Sequence, residues 1–356
     1  MKASIIRPKE NSQLPTIPSQ LTLRDIIKTL PSEVFTKNMT QAWLTVIVSV
    51  LCAAVGYLGL ILSPWWLLPP LWVFTGTTLA GWFVIGHDCG HRSFAKRNWV
   101  NNLVGQLLML PLMYPFHSWR ILHNHHHKHT NKLGVDNAWD PLTVEVYETM
   151  PGWVKWWYQR IRGNFWWIGS IVHKVQLHFN WSKFEGKERQ QIKFSAILVL
   201  VTGTIFFPTL LLTTGIWGFV KFWLLPWLIY HFWTSTFTLV HHTMSEITFK
   251  PPAQWNEAEA QLTGTVHCDY PFWVEFLCHH INVHIPHHVS TGIPSYNLRK
   301  AHESLKQNWG EYIYECKFSW DLMQKITTQC HLYDAEANYI SFTQHDRAKS
   351  LKANII

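Results

Sequence analysis

The sequence predicts an all-α integral membrane protein in which four transmembrane helices form two hairpins, joined to a cytoplasmic helical cap. Hydrophobic residues make up 47% of the 356 residues and charged residues only 15%, whereas charged residues are about 25% of a typical soluble domain. The mean hydropathy is nevertheless close to zero, at -0.03. The apolar residues must therefore be concentrated in blocks, as they are when membrane spans alternate with polar lobes.

The first hairpin is predicted at residues 38–86. Fifty residues without Lys, Arg, Asp or Glu lie between Lys37 and Asp88, and a helix needs only about twenty residues to cross the hydrocarbon core. Two spans fit, with a tight turn near Ser63, Pro64 and Trp65.

The second hairpin is predicted at residues 194–240. The uncharged runs Phe194–Val220 and Phe222–Ser245 are separated only by Lys221, and the sequence Thr213-Thr214-Gly215 has the composition of a turn. Buried helices of a soluble protein are shorter and more amphipathic than these runs, so membrane spans are the better interpretation.

Charge predicts the orientation of these spans. Of the 30 Lys and Arg residues, only Lys221 lies outside the segments assigned to one side, and the positive-inside rule places that side in the cytoplasm. The polar parts are then an N-terminal tail with an interfacial helix (1–37), a first lobe (87–193) and a second lobe with the C-terminal tail (241–356). Residues 1–20 are expected to be a flexible tail that contains several prolines.

The uncharged segment 98–119 within the first lobe is long enough to cross the membrane. Its Asn, Gln and Pro residues make it a poor lipid-facing helix, so a re-entrant or interfacial segment is expected. A crossing here would also place the histidine clusters before and after it on opposite sides of the membrane.

Three clusters gather many of the 22 histidines. The first, H-D-C-G-H, has an i, i+4 spacing that puts both imidazoles on one helix face. The second, H-N-H-H-H-K-H, and the third, H-I-P-H-H, both offer histidines at i, i+3 and i+4. The eight histidines on these faces are His87, His91, His123, His126, His127, His284, His287 and His288.

Eight imidazoles exceed the needs of one tetrahedral zinc ion, so the clusters predict a di-metal site in the cap. Imidazole suits Fe, Zn, Cu and Ni, and ligand type alone leaves the metal open. No paired Glu-x-x-His motif is present, which argues against a soluble carboxylate-bridged di-iron bundle.

These three clusters, in this order around two hydrophobic hairpins, resemble the histidine boxes of membrane fatty acid desaturases. The resemblance extends over nearly the whole chain, including Trp139-Asp140-Pro141, residues 264–271 and residues 293–298. It is closest to the cyanobacterial acyl-lipid delta-12 (omega-6) enzymes. The boxes themselves are shared with membrane alkane and fatty acyl hydroxylases. The sequence that flanks the boxes is more similar to that of the desaturases.

The resemblance implies two iron ions, ligated by the eight clustered histidines and by one more residue after the last span. His242 is preferred for that ninth ligand, with His241 as the alternative. No catalytic side chain beyond the metal ligands and no binding site for an organic cofactor is expected. His125, His129 and His279 are expected to be surface or outer-sphere groups. His231 is either a polar group turned toward the substrate side or a hydrogen-bonded packing residue. Asp88 either orients a ligand imidazole or is a solvated charge at a helix end.

The implied activity is O₂-dependent insertion of a cis double bond into acyl chains of membrane glycerolipids, converting oleoyl to linoleoyl groups. An apolar tunnel is expected to select the position. No His-Pro-Gly-Gly segment of a fused cytochrome b5 is present, so the resemblance implies a separate ferredoxin-type electron donor. It also implies the plasma or thylakoid membrane of a cyanobacterium-like cell.

Two other functions are compatible with parts of this pattern. A fatty acyl or alkane hydroxylase would use the same di-iron scaffold, and product analysis distinguishes it. A His-rich membrane metal transporter would place its ligands near the bilayer midplane, whereas these clusters follow spans or lie in polar lobes. The lipid headgroup and the oligomeric state are left open by the sequence.

Overall fold

The computed structural model describes residue 15 and residues 17–353, and most of this part of the chain is helical. The helices are α1 Leu23–Lys28, α2 Met39–Leu62, α3 Leu68–Gly90, α4 Asn98–Met109, α5 Phe116–Lys128, α6 Val144–Thr149, α7 Gly152–Arg162, α8 Gly169–Leu177, α9 Gly186–Phe219, α10 Leu225–His242, α11 Glu257–Thr263, α12 Phe272–Leu277, α13 His284–Val289, α14 Leu298–Trp309, α15 Trp320–Gln329 and α16 Phe342–Ala353. Most of the predicted flexible tail, residues 1–20, lies outside the described residues.

Three helical stretches in the described part of the chain are long and apolar enough to cross a membrane: Met39–Leu62, Trp65–Gly90 and Gly186–His242. Their outer surfaces carry large apolar side chains that no other part of the protein covers. Leu62 is 72% exposed and Leu212 is 88% exposed. Lipid is the solvent that such surfaces require, so the chain is a membrane protein.

The stretch Gly186–His242 is not one straight rod. Gly215 interrupts it with φ 69° and ψ -177°, a left-handed conformation that glycine adopts without steric penalty. The rings of Phe207 and Trp223 lie 4.6 Å apart, although sixteen residues of straight helix span about 24 Å. The chain therefore reverses direction at Gly215, within the turn that the sequence predicts.

Helices α3 and α10 form the centre of the molecule. Trp233 on α10 donates a hydrogen bond from Nε1 to Thr77 Oγ1 on α3, at 2.7 Å. Gly76 allows α10 to approach closely, because a Cβ there would overlap Ile229 and the Pro226 carbonyl. Both helices end at the histidine clusters, so their packing brings the first cluster and the residues after the last apolar run to one place.

The segment between the first two clusters folds back on itself. Helix α4 has twelve residues and is about 18 Å long, too short to cross the hydrocarbon core by itself. A turn then leads into α5, whose first residue, Phe116, packs against Gly105 of α4. The expected re-entrant or interfacial placement of 98–119 stays a prediction.

The remaining helices form a cap around the clusters. Ile26 of α1 belongs to one buried apolar group with Leu262, Ile285 and Leu298, so α1 packs on the helix of the third cluster. The expectation of an all-α fold needs one correction, because short strands are also present: β1 Leu142–Thr143, β2 Val266–Asp269, β3 Tyr314–Lys317, β4 Leu332–Asp334 and β5 Asn338–Ile340. Strands β2 and β3 pair in parallel, and β4 joins β1 in parallel and β5 in antiparallel orientation.

Candidate metal centre

The first cluster occupies the C-terminal end of α3. His87 lies in its last turn and His91 is the C-cap residue, and their ring centroids are 4.7 Å apart. Gly90, between them, faces the indole of Trp119 on α5, where a Cβ would lie 2.5 Å from Cζ3. The same indole stacks on His123 at 4.5 Å. Gly90 thus allows the helix of the second cluster to dock against the first.

The second cluster lies on α5, as its spacing predicts. His126 and His127 are buried, and His123 lies on the same face. His125 is exposed on the opposite face. Its ring lies 4.6 Å from that of the half-buried His129, between centroids.

The third cluster forms the short helix α13. Pro286 is its third residue, within the first turn, where backbone N–H groups have no partner inside the helix. Proline is therefore tolerated without a kink. His284, His287 and His288 are all buried, with exposures of 2–5%.

Five imidazoles converge in one group: His87, His91, His123, His127 and His287 each offer a nitrogen, and these nitrogens all lie within 4.8 Å of one another. The Nε2 atoms of His87 and His123 are 3.1 Å apart, and those of His123 and His127 are also 3.1 Å apart. The Nε2 atoms of His127 and His287 are 3.0 Å apart.

A second group lies beside the first. It contains His126, His242 and His288. The Nε2 of His284 joins them, at 3.0 Å from that of His242 and 3.1 Å from that of His288. The rings of His127 and His288 stack at 4.2 Å, so the two groups are neighbours. Together they hold all nine histidines of the predicted ligand set, which stays a prediction.

This arrangement fits two metal ions. Two nitrogen atoms that bind one ion at a right angle, with metal–nitrogen bonds of about 2.1 Å, are about 3.0 Å apart. The Nε2–Nε2 distances given above match this value. The inward Nε2 atoms of His91 and His126 are buried and have no hydrogen-bond partner. Such atoms are destabilising unless a ligand occupies the space that they face.

Burial also keeps these imidazoles in their metal-binding form. It lowers the pKa of His123, His127, His287 and His288 well below the usual range, and the neighbouring imidazoles lower it further. Neutral imidazole has a free lone pair for a metal, whereas imidazolium has none. The donor set is all nitrogen among the described residues, and it supports metal binding without a bridging carboxylate.

Outer partners orient some of these rings. Asp136 Oδ1 lies 2.6 Å from His126 Nδ1, and Gln261 Oε1 lies 3.1 Å from His288 Nδ1. Both partners hold the Nδ1 side and leave Nε2 for the metal. Sequence reasoning missed both, because neither belongs to a cluster. The candidate it named, Asp88, is 3.7 Å from His87 Nδ1 and instead accepts a hydrogen bond from the Ser295 backbone N–H at 3.0 Å.

The other singled-out histidines lie around the centre rather than in it. His241 stacks on His284 at 4.5 Å between centroids and belongs to neither nitrogen group. His279 Nε2 is 3.4 Å from Ser49 Oγ. His231 lies deep in α10, where its Nδ1 is 2.8 Å from Ser170 Oγ.

A cavity reaches both histidine groups. Its walls near the metal centre combine ligand imidazoles with aromatic and aliphatic side chains of α3, α5 and α10. The lining residues in that part are Ala80, Phe83, Val84, His87, Trp119, Leu122, His123, His126, Thr234, Phe237, Thr238, His241, His242, Ile281 and His284. Such a space accommodates a flexible apolar chain and brings it against the metals.

Comparison with known proteins agrees with this site. Residues 63–320 match the family model described as fatty acid desaturase. An sn-1 oleoyl-lipid 12-desaturase of Picosynechococcus sp. is 61% identical over 347 residues, covering 98% of this chain and 100% of the relative. The Synechocystis sp. protein of the same name is 60% identical, covering 91% and 92%. A chloroplastic omega-6 fatty acid desaturase of Brassica napus is 50% identical, covering 92% and 73%. The chain therefore belongs to the fatty acid desaturase family.

Proposed function

We propose that this protein is an acyl-lipid delta-12 (omega-6) desaturase, which converts oleoyl to linoleoyl chains in membrane glycerolipids. The observation that carries the proposal is the apolar cavity that leads to two adjacent histidine groups. Relatives named for 12-desaturation of oleoyl lipids match nearly the whole chain, and they support the position of the double bond.

We assign two iron ions to the two groups. The first would be held by His87, His91, His123, His127 and His287, and the second by His126, His242, His284 and His288. With O₂ and two electrons, iron supplies the oxidising power to remove two hydrogens from adjacent methylenes, which no side-chain base can abstract.

The side chains of this chain then position the substrate and exclude water. Trp119 and Phe83 pack at 5.4 Å between ring centroids and line the cavity beside the metals. They hold an acyl chain by apolar contact and keep solvent from the reacting carbons. Neighbouring methylenes are chemically alike, so the position of the double bond depends on where this cavity holds the chain.

We further propose four membrane spans, with both termini and both polar lobes in the cytoplasm. The reversal at Gly215 divides the third apolar stretch into two runs, and the turn at Ser63 follows the first span. Trp65, Trp66 and Trp217 are exposed near these two turns, as an aromatic belt at the far interface would be. In this topology the tail, the two hairpins and the two lobes meet at residues 37, 86, 193 and 240. The membrane is proposed to be the plasma or thylakoid membrane of a cyanobacterium-like cell.

A separate ferredoxin-type protein is proposed as the electron donor. The formal net charge of +8 suits an acidic protein partner.

Expression in a bacterial host that makes only monounsaturated lipids tests the proposal. Fatty-acid analysis should find a new 9,12-diene in the membrane lipids, and the purified protein should hold close to two irons per chain. The matched control is His126→Ala, which should give no diene. A hydroxylated product would show that the related hydroxylase chemistry operates instead, and one zinc with no iron would overturn the di-iron assignment.

A further inference from the structure

Several polar side chains of α8 and its surroundings also line the cavity. They are Tyr114, Ser170, His173, Gln176 and His178, with Gly169 and Val172 among them. His178 is 1% exposed, and neither of its ring nitrogens has a well-aligned hydrogen-bond partner among the described residues, although the backbone carbonyls of His173 and Lys174 lie close to it. A buried polar atom without a partner destabilises a fold, so this imidazole indicates a ligand that the cavity admits.

Aromatic rings separate His178 from the metals. Its ring lies 5.0 Å from that of Tyr114, and Tyr114 lies 5.2 Å from Phe83. Phe83 in turn packs on Trp119, whose indole stacks on the ligand His123. An aromatic wall of the cavity thus leads from the ligand His123 to His178.

Among the described residues, no carboxylate lines the cavity beside His178. Burial lowers the pKa of His178 well below the usual range, so the imidazole is neutral and has one N–H to donate. Behind it, Lys174 Nζ lies 3.4 Å from His231 Nε2 and 4.5 Å from the centre of the Trp227 ring. Burial is the only cause that shifts the pKa of this lysine, to about 7. A ligand that accepts hydrogen bonds and carries no positive charge fits this part of the cavity.

We propose that His178 donates a hydrogen bond to the ester carbonyl of the substrate glycerolipid. The inference rests on the proposed function, because it takes the occupant of the cavity to be an acyl chain that is still esterified. Such a chain is apolar along its length and has one acceptor group, the ester, at its head. The cavity has mostly apolar walls and, at His178, a buried imidazole that can donate to such an acceptor.

The place of His178 in the chain is consistent with this role. It follows α8 directly and precedes α9 by eight residues. The segment 183–193 is rich in charged residues, and the apolar run begins at Phe194. Charged residues flanking an apolar run lie at the headgroup level of the bilayer, which is also where glycerol esters lie.

An ester-to-ether comparison tests the hydrogen bond. Nanodiscs would contain equal amounts of 1-oleoyl-2-palmitoyl phosphatidylglycerol and of its 1-O-oleyl ether analogue, in which a methylene replaces the carbonyl. The dithionite-reduced, iron-loaded enzyme is then exposed to O₂. We expect the wild type to favour the ester roughly tenfold, the effect of one buried hydrogen bond. In His178→Phe the ratio should fall to about one, while His178→Gln, which keeps an N–H, should retain part of it.

Two controls separate this role from a structural one. Val175→Ala, at a position that is 64% exposed, should leave the ratio unchanged. Iron content and melting temperature report on folding, and His178→Ala replaces His178→Phe if the bulkier ring prevents accumulation. Native mass spectrometry of retained lipid gives the same ester-to-ether ratio without turnover.

Equal use of both lipids by the wild type would overturn the proposal, as would an unchanged preference in the His178 variants. Absence of product from both lipids would instead contradict the desaturase function, and the retained-lipid ratio would still test the ester site.

Discussion

Asp136→Asn should weaken iron binding at the second histidine group without removing a ligand. Asp136 Oδ1 lies 2.6 Å from His126 Nδ1 and accepts the Ala138 backbone N–H at 3.0 Å, and Oδ2 accepts the backbone N–H of Asn131 at 2.8 Å. Both carboxylate oxygens are therefore used, and the side chain is fully buried. Asparagine has one acceptor oxygen, so either His126 or Asn131 must then face an amide NH₂.

The expected loss is about 10- to 100-fold in metal affinity, the usual effect of removing a carboxylate that orients a ligand histidine, or roughly 1.4–2.7 kcal/mol. Iron retained per chain is measured against increasing chelator concentration, together with diene formation. Asp88→Asn is the matched control, since its carboxylate is 3.7 Å from His87 Nδ1 and should change the chelator midpoint little. An unshifted midpoint in Asp136→Asn, or an equal shift in both variants, would refute the reasoning.

Three further outcomes are expected. His126→Ala should abolish diene formation and lower the amount of bound iron. His125→Ala, on the exposed face of α5, should keep a substantial part of both. Equal loss in the two variants would mean that the ligands assigned to the second cluster are wrong. Gly90→Ala should destabilise the fold by about 1–3 kcal/mol and reduce iron content, because its Cβ would overlap the Trp119 indole that stacks on the second cluster. The control is Gly152→Ala, where a Cβ would have no atom within 4 Å. This variant should leave the melting temperature and the iron content unchanged. Tags at both termini and within residues 144–187 of the first lobe should be reached only from the cytoplasm, and labelling of that stretch alone from the opposite side would show that segment 98–119 crosses the membrane.

The apolar runs and the histidine spacings could be predicted because both depend on local sequence. A run without charges indicates a span by length alone, and the i, i+3, i+4 spacing defines a helix face whatever the helix packs against. The turn at Gly215 was predictable for the same reason, since its composition interrupts an apolar run.

The division of the histidines between two groups depends on tertiary packing and could not be predicted. Neighbours on one helix separate: His126 joins the second group and His127 the first. The outer partners Asp136 and Gln261 come from a loop and from α11, where no periodicity marks them. His178 was missed as well, because a single histidine outside a cluster has no distinguishing signal until the structure shows that it is buried without a partner.

A separate group of two histidines and a glutamate, outside the metal centre, shows why proximity alone does not make a metal site. His267 on β2, His302 on α14 and Glu315 on β3 have ligand atoms within 4.8 Å of one another. The two rings, however, stack at 4.3 Å with 22° between their planes, so their lone pairs run side by side instead of converging. Each ring also has its own carboxylate, Asp269 at 3.0 Å and Glu315 at 2.8 Å, and Lys306 holds the second oxygen of Glu315 at 2.7 Å. These hydrogen bonds tie the β2–β3 pair to α14, next to the helix of the third histidine box, and their chemistry is that of a structural clamp. In the metal centre the nitrogens of each group come together instead, and the carboxylate and amide partners of His126 and His288 lie on the Nδ1 sides, away from the other ligand atoms. That difference in direction separates the two kinds of site.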